Sequence, residues 1–238
     1  PIEARVLTAF EGDVIDVSGQ PRALDIDGNV AYILCTDRLI SVDITNLYSL
    51  TVLNTLNFGG TNFTDIEVRG NFAYVIREQG SSNSDLYLVD ISDPSSMSIV
   101  GGAPVYHSNS YQFRALDLEG NVIYIACRYE LIALDIQNPA SPTFLGVGSG
   151  CYLSKDLVVD GNYAYVSGSR IDVFDVTNPS SPVHVGTVNS GTAWSIAVDG
   201  NYLFAACYYN RLRIYDITHP SFTVSYTHLR AHETRHDL

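Results

Sequence analysis

The stretch LVVDGNYAYVSGSRIDVFDVTNPSSPVHVGTV, Leu157–Val188, breaks into four short apolar runs separated by turn residues. Leu157-Val158-Val159 is followed by Gly161-Asn162, a pair suited to a tight hairpin because glycine accepts a positive φ without steric cost. Tyr163-Ala164-Tyr165-Val166 is a second run rich in β-favouring residues, and Ser167-Gly168-Ser169 interrupts it. A third run ends at Asp175-Val176. Thr177-Asn178-Pro179-Ser180-Ser181-Pro182 then forbids continuation, because proline donates no ladder hydrogen bond and pushes its predecessor into extended geometry. Val183 to Val188 is the fourth run. The pattern predicts four antiparallel strands in a meander.

The same grammar occurs five times. Gly-Asn recurs at Gly28, Gly70, Gly120 and Gly200, roughly forty to fifty residues apart, and an aromatic follows each glycine by four residues: Tyr32, Tyr74, Tyr124, Tyr165 and Phe204. Asp-Ile or Asp-Val closes each third run, at Asp43, Asp90, Asp135, Asp175 and Asp216. Asn46, Asp93-Pro94, Asn138-Pro139, Asn178-Pro179 and His219-Pro220 mark the next turn. Four strands per repeat at this period predict an all-β propeller of four-stranded meander blades. Stacking of neighbours is what buries both faces of such a blade.

Leu131 to Pro139, with Leu86 to Pro94 and Ile171 to Pro179, resembles the LVIVD repeat of bacterial and archaeal β-propellers, over residues 17–222. The resemblance implies a secreted or surface-associated protein and implies no particular activity. The expected organisation is a fourth strand and link of a preceding blade in residues 1–16, five repeats in 17–222, and a separate tail in 223–238. The tail sequence VSYTHLRAHET, residues 224–234, resembles a translated transposase sequencing adaptor. His228, His232 and His236, which share a face at helical spacing, are therefore set aside as ligands. Residues 1–7 read as a fourth strand and match residues 182–188, so the chain is expected to begin inside a unit. Either these residues pair with the fifth unit and close a five-bladed ring, or the five blades form an incomplete one.

The chain carries 26 acidic against 13 basic residues, a net charge of −13, and Lys155 is its only lysine. That balance argues against nucleic acid and anionic membranes as partners, since both select basic patches. No apolar run reaches transmembrane length, and no direct membrane insertion is expected. Cys35, Cys127 and Cys207 occupy one slot in three repeats and read as small core residues, while Cys151 lies in a loop. No zinc spacing, phosphate loop, nucleophile elbow or haem motif occurs, and no cofactor or metal is expected.

The repeated turns share one face of a meander. The second-to-third-strand loops and the inter-blade links share the other, and they vary from unit to unit, so recognition is expected there. That face collects Arg22, Arg114, Arg128, Tyr129, Tyr152, Lys155, Trp194, Tyr208, Tyr209 and Arg211, together with Phe63, Tyr111 and Phe113. Aromatics and arginines of this kind suit a protein, peptide or carbohydrate ligand. Asp65 and Asp156 enter at equivalent slots near the axis, either as hydrogen-bond acceptors for backbone or neighbouring cations, or as paired carboxylates of an enzyme acting on carbohydrate. The sequence thus favours a non-catalytic binding module, with an enzyme or a purely structural scaffold as alternatives.

Overall fold

Each Gly-Asn pair turns one strand into the next, and φ is positive at Gly28, Gly70, Gly120, Gly161 and Gly200 but not at the asparagines, the pattern of a type II′ hairpin. The computed structural model describes residues 12–17, 19–78, 85–104, 112–208, 211–218 and 224–226. It contains twenty strands in five four-stranded antiparallel sheets. Blade 1 comprises β1 (Pro21–Asp27), β2 (Val30–Cys35), β3 (Arg38–Asp43) and β4 (Thr51–Asn57). Blade 2 comprises β5 (Phe63–Arg69), β6 (Phe72–Arg77), β7 (Asp85–Asp90) and β8 (Ser98–Pro104). Blade 3 comprises β9 (Phe113–Glu119), β10 (Val122–Cys127), β11 (Glu130–Asp135) and β12 (Thr143–Ser149). Blade 4 comprises β13 (Asp156–Asp160), β14 (Tyr163–Ser167), β15 (Ile171–Asp175) and β16 (Val183–Val188). Blade 5 comprises β17 (Ala193–Asp199), β18 (Tyr202–Cys207), β19 (Arg211–Asp216) and β20 (Val224–Tyr226).

The two repeated motifs lock to each other. The residue after each third-strand aspartate donates its N–H to the carbonyl of the turn asparagine: Ile44 to Asn29, Ile91 to Asn71, Ile136 to Asn121, Val176 to Asn162 and Ile217 to Asn201. The aspartate itself accepts the N–H two residues on, as in Asp175 Oδ1 with Thr177 N at 2.9 Å and Asp43 Oδ1 with Thr45 N at 2.8 Å. A short side chain that satisfies a backbone donor locally ends a strand cleanly. Both motifs therefore serve the repeat geometry.

The apolar cores lie between blades, one at each of the four junctions. The first strands β1, β5, β9, β13 and β17 pack side by side in chain order, and no comparable packing joins β17 to β1. Exposure reports the same thing. Ile66, Leu116, Leu157 and Ile196 are buried, whereas Leu24, in the same slot of blade 1, is 58% exposed. Leu39, Leu86, Leu131 and Ile171 are buried, whereas Leu212 in blade 5 is 60% exposed. The described residues form an arc with two open ends, blade 1 being partly covered by Ile15 and Val17.

Val224–Tyr226 occupies the fourth position of blade 5, pairing with β19 at Ile214↔Tyr226 and Asp216↔Val224. The place beside β19 considered above for residues 1–7 is thus filled. Residues 1–11 and 227–238, which include that segment and the three tail histidines, lie outside the described residues.

A second device joins blades at their outer edges. In β4, β8, β12 and β16 one residue faces the third strand two positions before its terminal aspartate: Asn54, Gly101, Gly146 and Gly186, and a bulge follows in each. In blades 1 to 3 the next blade's turn sits against this residue. A Cβ on Gly146 would lie 2.5 Å from the Ser180 carbonyl, and one on Gly101 would lie 3.0 Å from the Ala140 oxygen. In blade 1 the residue is Asn54, whose Nδ2 donates to Ser95 O at 2.9 Å instead.

Candidate functional site

The inner strand of each blade is an edge strand, with main-chain N–H groups that no ladder satisfies. Four aspartates satisfy them across the junctions. Asp25 Oδ2 accepts from Val68 N (2.6 Å), Asp65 Oδ2 from Leu116 N (2.9 Å), Asp117 Oδ2 from Val159 N (2.5 Å) and Asp156 Oδ2 from Ile196 N (2.9 Å). In each, Oδ1 takes the N–H of the following residue: Ile26, Ile66, Leu118 and Leu157. Asp156 also accepts from Ser195 Oγ at 2.8 Å. Asp65 and Asp156 are therefore blade-to-blade staples in this structure, each oxygen already holding a main-chain donor, which is the acceptor role the sequence allowed. Asp25 and Asp117 escaped sequence reasoning, although an aspartate before a large aliphatic residue recurs in the first strands of blades 1 to 4.

The staples crowd acid around the axis. Burial, and then the neighbouring carboxylates Asp156 and Asp117, push Asp65 up to about 7 against the opposing pull of its backbone donors. Burial, with Asp25 and Asp117 beside it, pushes Glu67 up to about 8, and burial raises Asp117 as well. A carboxyl whose folded pKa is raised holds its proton after the unfolded chain has released it. The stability it contributes is complete below about pH 4 and is lost as pH rises through the folded pKa. The expected result is a melting temperature several degrees higher at pH 5.5 than at pH 8.5. Glu67→Gln should raise the value at pH 8.5 and shrink the difference; equal pH dependence in the variant and the parent would refute this account.

A cavity of about 800 Å³ opens at the other side of the inner strands, lined from blades 2 to 5. Inter-blade links supply Gln112, Leu153, Ser154, Lys155 and Thr192, and second-to-third-strand loops supply Arg128, Ser169 and Tyr208. Thr64, Arg114 and Trp194 come from the first strands β5, β9 and β17. Lys155 Nζ stands 3.6 Å from the centroid of the Trp194 ring, and Trp194 is 55% exposed. Arg128 lies over the Tyr129 ring at 5.2 Å, and Tyr129 in turn packs against Tyr152 at 6.2 Å. Arg114 is held by Glu78 at 2.9 Å and by Gln112 Oε1 at 2.8 Å. The link is shaped by two hydrogen bonds from Leu153 N and Ser154 N to Arg128 O, with Leu153 at a positive φ of 56°.

Of the residues singled out from sequence, Arg114, Arg128, Lys155, Trp194 and Tyr208 line this cavity. Tyr129 and Tyr152 stand behind Arg128 without lining it. Arg22 lies elsewhere, in a second hollow of about 410 Å³ on the open face of blade 1 with Ile15, Val17 and Leu24. Arg211 is exposed at the start of β19 and does not line the cavity. Phe63 and Phe113 are core residues, Phe63 stacking on Phe58 at 4.2 Å. Tyr111 and Tyr209 lie outside the described residues. The hydroxyls of Thr64, Ser169 and Thr192 carried no sequence signal.

One further polar cluster is internal to blade 4. Asp172 is buried and accepts from Arg170 Nε (2.8 Å) and Thr187 Oγ1 (2.9 Å), with His184 Nε2 at 3.0 Å. All three meet the same oxygen, and Thr187 Oγ1 also stands 3.2 Å from His184 Nε2. The four cysteines are free and buried, and burial pushes Cys151 up to about 12, leaving a thiol with little thiolate character. Among the described residues no group of His, Cys, Asp and Glu is placed to hold a metal ion, and no helix is long and apolar enough to cross a membrane.

The model of the LVIVD repeat matches residues 60–103, 114–147, 153–190 and 190–227, which together are more than half of the chain. The chain belongs to the LVIVD-repeat family. The matched stretches of this LVIVD-repeat protein coincide with blades 2 to 5, while blade 1 is the divergent copy. Among solved structures it is similar to a functionally unknown protein from Desulfotomaculum acetoxidans, with a TM-score of 0.74 and 13% identity, over 89% of this chain and 70% of that one. A protein from Lactobacillus plantarum gives 0.71 and 15%, over 86% and 69%. The computationally designed Ika8 protein gives 0.62 and 13%, over 84% and 59%. These likenesses show the fold. No curated protein matches the LVIVD-repeat chain.

Proposed function

We propose that this protein is a non-catalytic binding module whose ligand seats in the cavity between Arg128, Lys155, Trp194 and Tyr208. The observation that carries the reading is a division of labour. The residues repeated in every blade are consumed by backbone hydrogen bonds at the turn face, while the residues differing between blades converge from four blades on one concave site. A rigid scaffold with variable loops over a cavity of this size is a common arrangement for ligand recognition. The proposal includes an extracellular or cell-surface setting, for which the support is the character of the family; four buried, unbridged cysteines are compatible with it.

The test is a thermal-shift panel of neutral sugars, acidic sugars and short peptides. A ligand present at about 100 times its Kd stabilises by ~2.7 kcal/mol, which for a chain of this size is on the order of 5–10 °C. Trp194→Ala, at an exposed position, should leave the unliganded melting point nearly unchanged and abolish the shift. A panel in which nothing moves the transition would leave the propeller as a structural scaffold.

A further inference from the structure

We infer that the cavity selects a carboxylated sugar, a uronic acid unit within a short oligosaccharide. The inference rests on the binding reading above and adds the class of ligand. Its first support is charge. The chain has twice as many acids as bases, yet the cavity lining holds three cations and no carboxylate, and the chain's single lysine is among them. Arg114 is neutralised by Glu78, but Arg128 and Lys155 form no ion pair among the described residues. Both lean on aromatic faces instead, Lys155 on Trp194 and Arg128 on Tyr129. A cation held on a ring keeps its charge and its donors directed outward, ready for a carboxylate.

The second support is the rest of the lining. Thr64, Ser169 and Thr192 offer hydroxyls, and Gln112 an amide, which suit a ligand bearing many hydroxyl groups. The exposed indole of Trp194 offers an apolar surface for the C–H face of a pyranose ring. A bare inorganic anion would leave most of the 800 Å³ unfilled, and an apolar acid would waste the hydroxyls. The acidic exterior also gives selectivity: a polyanion too long for the cavity meets repulsion beyond the rim.

The experiment is isothermal titration of the whole chain with tetrasaccharides of galacturonate, mannuronate and hyaluronan, each beside its methyl-esterified counterpart, and with tri-glutamate. The expected result is that at least one acidic sugar binds ~10-fold or more tightly than its ester, the difference expected for losing one charge-assisted contact. Lys155→Met should remove most of that preference, bringing the affinities for acid and ester together, and added salt should weaken chiefly the acid form. If an ester binds as well as its acid, the inference about charge is overturned and the binding reading survives. If tri-glutamate binds as tightly as the best sugar acid, the sugar class is overturned. If neither acids nor esters nor tri-glutamate bind, this inference falls, and the binding reading falls with it when the neutral panel is silent too.

Discussion

Asp156→Ala is expected to lower the melting midpoint by about 5–12 °C and to loosen blade 5 ahead of the others. The carboxylate takes Ile196 N and Ser195 Oγ from blade 5 and Leu157 N from its own strand. Removing it strands donors on a part-buried edge, and a charged acceptor lost in this way costs ~2–4 kcal/mol. A domain of 150–250 residues loses ~2–4 °C per kcal/mol. Repeat proteins sum nearest-neighbour junctions, so the deficit falls on one interface rather than on the whole chain. Amide exchange should therefore quicken first in β17–β19, with β5 and β9 little changed. Asp175→Ala is the control: its carboxylate serves only an exposed turn, and its loss should be far smaller. A variant at Asp156 that melts with the parent, or one whose exchange rises uniformly across all blades, would refute the staple.

Gly146→Ala should cost about 2–3 kcal/mol, an unusually large penalty for adding one methyl to an outer strand. The added Cβ would sit 2.5 Å from both the carbon and the oxygen of the Ser180 carbonyl and 2.8 Å from Pro179 O. All three are backbone atoms of the next blade's turn, so no side-chain rotation relieves the clash and the blades must part. Gly101→Ala meets the Ala140 oxygen at 3.0 Å and should cost roughly half as much. Equilibrium denaturation of the two variants ranks them. A reversed order, or a Gly146→Ala protein as stable as the parent, would show that the turn is not seated where the fourth strand is narrowest.

Much of this architecture was legible because each repeated residue answers a local backbone demand. Gly161 supplies the positive φ, Asp175 ends its strand by capturing the Thr177 N–H, and Tyr165 fills the inter-blade core. Five copies make such local signals unmistakable. The site was less legible because it depends on how blades are rotated against each other. Arg114, Arg128 and Lys155 converge, yet Arg22, in the same slot as Arg114, is left on an open end face. Thr64 and Thr192 matter only through what they stand beside. The four staples were half hidden for a related reason: comparing equal slots pairs Asp65 with Asp156 and separates both from Asp25 and Asp117.

That offset has a consequence for how such a molecule can be lengthened or shortened. Asp25 and Asp117 lie three residues before their turn glycines and reach an N–H two residues before the next one. Asp65 and Asp156 lie five residues before theirs and reach an N–H four residues before the next. Odd and even blades thus speak different halves of one handshake. Excising blade 3 alone would bring Asp65 opposite a strand that offers its N–H at Val159, two residues out of phase with the Leu116 position it was built to meet. Excising blades 2 and 3 together would restore the match, because Asp25 would find in Val159 the counterpart of Val68. The modular unit of this propeller, for grafting or for growth by duplication, is two blades.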